Sequence, residues 1–219
     1  MTEQPPLSYL HQATRDIAIR AHGTQMYGDE PYVVHLDAVN SVLLNALHGA
    51  NLSDIPKELQ VAYLHDVIED TDWTQSTLLD ALLTLHTELA RLGGTVVRRM
   101  LPPEDVVRAV EFCTDMPGPN RRARKQATYA RCRPIVERLL RRDVASPPVW
   151  LRTAVRVKVA DRLANLQNCI RTGNTSLLVM YRSEQSDFFT CYGAPGVCDD
   201  LWVACFFACH GIITPEETP

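Results

Sequence analysis

The sequence lacks any run of about 18 apolar residues, which is the length that a membrane-spanning helix needs. The N-terminal stretch MTEQPPLSYLHQ lacks the basic and apolar regions of a signal peptide, so we expect no such leader. Seven cysteines are present without a CxxC pair, which argues against a zinc knuckle and favours a reduced, cytoplasmic setting. The net charge of −4 argues against non-specific binding to nucleic acid or to an anionic membrane.

Sustained alternation of strand type is also missing, whereas helical spacing of apolar residues runs along most of the chain. Apolar residues make up 46% of the 219, enough for a core of ordinary size. The sequence therefore predicts an all-α fold, a bundle of about eight to ten helices. The predicted helices cover 7–23, 31–47, Pro56 to about 71, 74–85, 102–115, 120–142, 149–172, 175–192 and 199–210.

Two prolines bear on the boundaries of these helices. Residues 23–30 are predicted as a loop with a turn at Gly28-Asp29, after which Pro31 occupies the first position of the next helix. Pro134 is expected to interrupt the helix predicted over 120–142, because proline cannot donate the backbone hydrogen bond.

The stretch AYLHDVIEDT, residues 62–71, concentrates four ionisable side chains in a segment of helical spacing. His65 and Glu69 are four apart and so share one helical face, and Asp66 and Asp70 repeat that spacing. Burying these groups without a cation or a partner would be costly. The stretch is therefore either a solvated acidic face or half of a metal site. In the second case, His65 and Asp66 bind the ion, and Glu69 and Asp70 are left for acid–base chemistry.

Three predicted helices each offer potential metal ligands. His35 lies in the second helix, the His65-Asp66 pair in the third, and Asp161 is a conspicuous acid within the apolar helix 149–172. Two imidazoles and two carboxylates suit a divalent cation such as Mn²⁺, Fe²⁺ or Zn²⁺. Any one of these residues alone could be an ordinary core or surface residue, and the combination is what points to a metal.

The order H…HD…D resembles the signature of the HD-domain metal-dependent phosphohydrolases. In finer detail, AHGTQMYGDEPYVVH (21–35), AYLHDVIEDT (62–71) and VKVADRLANL (157–166) resemble the three blocks of the hydrolase domain of RelA/SpoT-type proteins. In size the chain is most similar to the small alarmone hydrolases, including the metazoan SpoT homologues. The resemblance covers about residues 8–190, which we interpret as the core of a single HD-type domain spanning 1–219. The helix 199–210 is expected to pack on this core or on a partner.

The resemblance implies a function for each matching position. It implies four metal ligands, usually for manganese: His35, His65, Asp66 and Asp161. Glu69 and Asp70 match an acidic pair that orients and activates the attacking water. Asn165 matches an asparagine that contacts the nucleotide. The reaction implied is removal of the 3′-pyrophosphate from guanosine 3′,5′-bispyrophosphate, (p)ppGpp, and its relatives.

Hydrolysis of a phosphate ester also needs positive groups that hold the phosphate oxygens. The stretch Thr114-Asp115 and the basic cluster that follows it resemble a segment of the family in which basic residues face the substrate's phosphates. The alternative for this cluster is a solvated helix face. The candidate phosphate-binding residues are Lys158, Arg162, Arg121, Arg122 and Lys125.

The loop after the first helix departs from the family pattern AHxGQxRxxG(E/T)PY. Tyr27 stands where the family has an arginine that stacks on the purine, and no basic residue remains in the loop. A tyrosine can stack on a base but cannot supply a cation to a phosphate. An adenosine analogue such as (p)ppApp, or another nucleotide, therefore remains an alternative to the guanosine alarmone.

Two further functions remain open from the sequence. One is an HD-type phosphatase with a different nucleotide substrate, such as a deoxynucleotide or a dinucleotide. The other is a non-catalytic binding or antitoxin-like module, against which the complete ligand set beside Glu69 and Asp70 argues. The expected partner is a nucleotide substrate, with no nucleic acid and no membrane, and a homodimer is left open.

Overall fold

A computed structural model describes residues 7–46, 55–92, 95–138 and 148–210. Over these ranges the regular secondary structure is helical apart from one two-stranded hairpin. The predicted all-α class is confirmed. The ends of the helices predicted over 31–47 and 120–142 lie outside the described residues, as do the two ends of the predicted domain. None of the described helices combines the length and the apolar content that crossing a bilayer requires.

The elements follow one another along the chain with bounds close to those predicted. They are α1 Leu7–His22, β1 Met26–Tyr27, β2 Glu30–Pro31, α2 Val33–Ala46, α3 Ile55–Leu64, α4 Val67–Asp70, α5 Gln75–Arg91, a 3-10 turn Thr95–Arg99, α6 Pro103–Cys113, α7 Arg121–Glu137, α8 Val149–Thr172, α9 Thr175–Tyr192 and α10 Asp199–His210.

Helix α8 is the centre of the bundle. Helices α2, α3, α6, α9 and α10 all pack against it, and its valines Val155, Val157 and Val159 are fully buried. A helix that is apolar on most of its faces must be covered from several sides. It ends at Gly173, whose φ of 66° is a left-handed conformation that costs glycine little. Asp161 thus lies halfway along the helix on which these five others pack.

The prediction of one continuous helix across residues 62–71 is wrong, because the helix breaks at its His-Asp pair. Helix α3 ends at Leu64, His65 and Asp66 form a turn, and α4 begins at Val67. His65 Nδ1 lies 2.7 Å from the carbonyl oxygen of Ala62, the acceptor that the amide of Asp66 would use in an uninterrupted helix. The side chain thereby competes with the backbone, and both members of the pair leave the regular helix.

The segment predicted as a loop over 23–30 contains a short antiparallel hairpin. Met26 pairs with Pro31 and Tyr27 with Glu30, and the turn between the strands includes Gly28 at a φ of 63°. Pro31 is therefore in β2 and not at the first position of α2, which begins at Val33. The hairpin leads directly into α2.

Two further predictions concern the second half of the chain. Helix α7 continues through Pro134 to Glu137, so the predicted interruption does not occur. Pro134 lies in the last turn of α7, and its nitrogen has no hydrogen to donate to the backbone carbonyl one turn earlier. Helix α10 packs on α8, and the Cys205 thiol lies 3.7 Å from the carbonyl oxygen of Val159. All seven cysteines are buried and free of disulfides.

Replacing Leu166 with alanine is expected to lower the free energy of unfolding by about 2–5 kcal/mol, because the side chain is fully buried in α8 and its loss leaves a cavity. Leu83→Ala removes the same atoms from a helical side chain that is 43% exposed, and should change stability by about 0.5 kcal/mol or less. Urea unfolding at one fixed metal concentration measures both. Equal losses in the two variants would contradict the central position of α8.

Candidate metal centre

Four side chains from three separate segments of the chain converge between α2, α8 and the turn that joins α3 to α4. His65 Nε2 lies 3.0 Å from Asp66 Oδ2 and 3.7 Å from Asp161 Oδ1. His35 Nε2 lies 3.3 Å from Asp161 Oδ1 and 3.7 Å from Asp66 Oδ2. His35, His65 and Asp161 therefore each place a donor atom within 4.8 Å of the other two, and Asp66 lies beside this group in contact with both histidines.

The donor atoms fit a divalent cation. The contact of His65 Nδ1 with the Ala62 carbonyl requires that nitrogen to donate its hydrogen, which leaves Nε2 to face the two carboxylates. This Nε2 atom is buried and, although Asp66 Oδ2 lies 3.0 Å away, it makes no hydrogen bond of acceptable geometry with the described residues. A buried imidazole nitrogen without a partner, next to carboxylate oxygens, is what a metal site provides.

The charges of the centre also call for a cation. Burial alone would lower the pKa of His65, but the carboxylates of Asp66 and Asp161 outweigh it and raise this pKa to about 10. The same balance raises the pKa of His35. Burial would raise the pKa of the two aspartates, yet the imidazoles hold both carboxyl pKa values well below their usual range. The buried carboxylates are thus ionised, and either protons on the imidazoles or one divalent cation must balance them.

The two acids of the predicted catalytic pair lie on α4, directly after the ligand pair, in different surroundings. Glu69 is partly buried, its Oε2 accepts the backbone N–H of Asp115 at 2.8 Å, and burial raises its pKa. Asp70 is exposed, and its Oδ2 lies 2.8 Å from the hydroxyl of Tyr32 and 3.5 Å from the amide nitrogen of Gln25. Glu69 is therefore held by a backbone amide in a partly buried position, whereas Asp70 is held by Tyr32 at the surface.

Tyr27 and Asn165 are linked to each other and to the centre. The Tyr27 hydroxyl donates to Asn165 Oδ1 at 2.8 Å, and Asn165 Nδ2 donates to Asp161 Oδ1 at 2.6 Å. The Tyr27 ring stacks on the imidazole of His35, with 4.7 Å between the ring centres. The hairpin thereby closes one side of the metal centre.

Beside this closed side lies a cavity of about 540 Å³ between the hairpin, α2 and α8. Arg171, at its rim, donates to Glu30 at 3.2 Å, so its charge already has an acidic partner. The walls mix apolar surface with amides, which suits a flat polar ring. The lining includes Tyr27, Glu30, Val34, Ala164, Asn168 and Arg171.

Lys158, a predicted phosphate-binding residue, is an interior cation beside the centre. Its side chain is 6% exposed, and its Nζ lies 3.9 Å from Asp161 Oδ2. Burial would lower its pKa, but Asp161 and Glu69 outweigh this and raise the pKa above its ordinary value. Lys158 therefore stabilises the negative charges of Asp161 and Glu69 from the interior of the protein.

Arg121 and Arg162 share one carboxylate. Glu184 accepts from Arg121 Nε at 2.8 Å and from its Nη2 at 3.0 Å, and Arg162 Nη2 lies 3.3 Å from the same carboxylate. The Arg162 side chain is 3% exposed, and its guanidinium lies 4.7 Å from the ring centre of Tyr181 and 4.3 Å from that of Phe188. Arg162 is thus enclosed between α8 and α9, whereas Arg121 reaches the surface.

Lys125 and Arg122 line a second cavity, of about 470 Å³, between α7 and α9. Lys125 Nζ lies 2.8 Å from Asp115 Oδ2, and Arg122 is exposed. Glu184 and Asp187 line the opposite side of the cavity. The predicted basic face is therefore a mixed surface in which acids balance much of the positive charge.

The sequence did not indicate three residues that organise the site. Tyr32 precedes His35 by three positions, so helical spacing could have placed it on the same face. The contributions of the Asp115 amide and of Glu184 left no signal, because a backbone group and a surface-type acid gain their roles only from packing.

Comparison with solved structures finds the same fold in a metazoan ortholog of SpoT that is described as hydrolysing ppGpp and playing a role in starvation responses. The match covers 96% of this chain and 100% of the other, with a TM-score of 0.54 and 19% sequence identity. No protein-family model and no curated protein matches the chain. The predicted resemblance to a SpoT-type hydrolase is confirmed at the level of the fold.

His65→Ala is expected to lower the affinity for Mn²⁺ by more than the ~10–100-fold that is typical when a hydrogen-bond partner of a metal ligand is removed. The reason is that one of four converging donors disappears. Calorimetric titration of metal-free protein measures this, with circular dichroism to verify the fold. His86→Ala on α5 removes an imidazole outside the centre and serves as the control. Unchanged Mn²⁺ affinity in His65→Ala would exclude this residue as a ligand.

Proposed function

We propose that the chain is a metal-dependent nucleotide pyrophosphohydrolase that removes the 3′-pyrophosphate from (p)ppGpp or a related alarmone such as (p)ppApp. The observation that carries this proposal is the convergence of two imidazoles and two carboxylates, followed immediately by Glu69 and Asp70 on α4. The shared fold with a ppGpp-hydrolysing protein supports the same reaction class.

The metal would be held by His35, His65, Asp66 and Asp161, and Mn²⁺ suits this mixture of nitrogen and oxygen donors. When bound, such an ion lowers the pKa of water and stabilises negative charge on phosphoryl oxygens. The chain's part is to hold the four donors in a buried arrangement, with Lys158 balancing the surrounding acids.

Glu69 is the general base in this proposal. Burial raises its pKa, which brings a carboxylate closer to the range where it accepts a proton efficiently near neutral pH. The hydrogen bond from the Asp115 amide fixes one of its oxygens and leaves the other available. Asp70, whose side chain is exposed to solvent, orients the water that Glu69 deprotonates.

The cavity beside the hairpin is the proposed nucleoside site. Its volume of about 540 Å³ is within the range of small-ligand pockets. Tyr27 offers an aromatic face for a base, and its hydroxyl is held by Asn165, which is not among the residues that line the cavity. One face of the Tyr27 ring stacks on the imidazole of His35. A base that stacks on Tyr27 must therefore use the opposite face of the ring.

The cavity between α7 and α9 is the proposed phosphate site, with Arg121, Arg122 and Lys125 on one side. Lys125 and Arg121 have carboxylate partners, so an anionic substrate must compete with Asp115 and Glu184. Lys158 and Arg162 act from the interior, through their neighbours, and not by direct contact with phosphate.

These acidic partners favour one second candidate, an HD-type phosphatase for a nucleotide that carries fewer phosphates. Glu184 and Asp187 face the basic side of the cavity, and no cation replaces the family's arginine in the described hairpin. A substrate with less negative charge would need fewer unpaired cations.

Glu69→Gln is expected to keep Mn²⁺ binding and to lower kcat by about 10²–10⁴-fold, because a carboxamide cannot accept the proton. Initial rates with the preferred nucleotide measure the loss, and calorimetry measures the metal. Glu88→Gln on α5 makes the same change at an exposed position and should leave kcat unaltered. Full turnover in Glu69→Gln would remove it from the chemistry.

Identification of the released product distinguishes the two candidate functions. A panel of 3′-pyrophosphorylated guanosine and adenosine nucleotides, simple nucleoside phosphates and deoxynucleotides is incubated with Mn²⁺-loaded protein. Release of pyrophosphate from a 3′-pyrophosphorylated nucleotide is expected. Orthophosphate from the simple nucleotides would favour the phosphatase, and metal binding without any turnover would support a non-catalytic module.

A further inference from the structure

The hydroxyl of Tyr32 lies between two carboxylates of the candidate site. Its oxygen is 2.6 Å from Asp66 Oδ2 and 2.8 Å from Asp70 Oδ2, and the residue is 8% exposed. A phenol carries a single hydrogen, so these two acceptors share one donor. Tyr32 therefore connects a proposed metal ligand with a proposed catalytic acid.

The position of the Tyr32 ring is set by its aromatic neighbours. It stacks on the imidazole of His22 with 4.3 Å between ring centres and 15° between planes. It also meets the His35 ring edge-on, at 5.6 Å and 71°. Because the ring is held from two sides, its hydroxyl is a fixed point to which flexible carboxylates can be tied.

The two hydrogen bonds differ in what else holds each acceptor. Asp66 Oδ2 is also 3.0 Å from His65 Nε2, so this oxygen is already part of the centre. Asp70 is exposed, and among the described side chains its other donor is Gln25, at 3.5 Å. The side-chain orientation of Asp70 therefore depends mainly on Tyr32.

We propose that Tyr32 is a positioning residue that holds Asp70 at a fixed place relative to the ligand Asp66. This inference rests on the proposed function and adds to it the residue through which the acidic pair is aligned with the metal centre. The Asp66 oxygen is a weaker acceptor for the phenol when it also serves a cation. With a cation bound to Asp66, the hydroxyl hydrogen would therefore be shared less with Asp66 and more with Asp70.

The matched test is Tyr32→Phe, which keeps the ring and its stacking and removes only the hydroxyl. We expect kcat to fall by about 10–100-fold, the usual effect of losing an outer hydrogen bond at a metal site, while KM changes little. Mn²⁺ affinity, measured by calorimetry, should fall by less than kcat, because Tyr32 is not itself a ligand. Thermal melting verifies that the variant is folded.

Tyr63→Phe is the control. It removes the same atom from another buried tyrosine, whose hydroxyl donates to Asp37 at 3.0 Å, outside the metal centre. Its kcat and Mn²⁺ affinity should equal those of the unaltered protein.

A double-mutant cycle tests whether Tyr32 acts through Asp70. If it does, Tyr32→Phe combined with Asp70→Asn should be no slower than Asp70→Asn alone. Additive losses, a full kcat in Tyr32→Phe, or a loss of Mn²⁺ affinity as large as the loss of kcat would each overturn the inference. Absence of turnover by the unaltered Mn²⁺-loaded protein on the whole nucleotide panel would instead remove the proposed function, and this role with it.

Discussion

Two carboxylates and two imidazoles meet in the interior of this protein, and the rest of the site is arranged around that contact. The acids are ionised because the imidazoles are near, and the imidazoles would be protonated because the acids are near. Such a group of charges is expensive to bury unless positive charge joins it. The requirement explains why Lys158 is buried on the far side of Asp161, and why an imidazole nitrogen of His65 has no hydrogen-bond partner among the described residues.

The hairpin before α2 and Tyr32, which follows it, support both aspartates of the site. Tyr32 donates to Asp66, and Tyr27 acts on Asp161 through the amide of Asn165. Each donor reaches the carboxylate oxygen that faces the histidines. A short hairpin with a glycine turn suits this role, because Tyr27 in its first strand and Tyr32 directly after its second strand both reach the site.

The surface around the centre balances positive and negative charge pair by pair. Arg121 and Arg162 share Glu184, Lys125 faces Asp115, and Arg171 faces Glu30. An anion that binds to these cations would therefore have to replace their carboxylate partners.

The sequence by itself determined the all-α class, the bounds of α8, α9 and α10, and the two histidines and two aspartates that the fold brings close together. These follow from helical spacing and from the rarity of His and Asp inside apolar helices, both of which are local properties. Only the tertiary structure decided the break of the helix at His65-Asp66, the pairing of the hairpin strands, and the acidic partners of Arg121 and Lys125. The physical reason is that each of these depends on a contact of one side chain or strand with a specific partner, including pairs such as Arg121 and Glu184 that are far apart along the chain. The spacing of apolar residues along the sequence does not indicate which side chains come into contact when the helices pack.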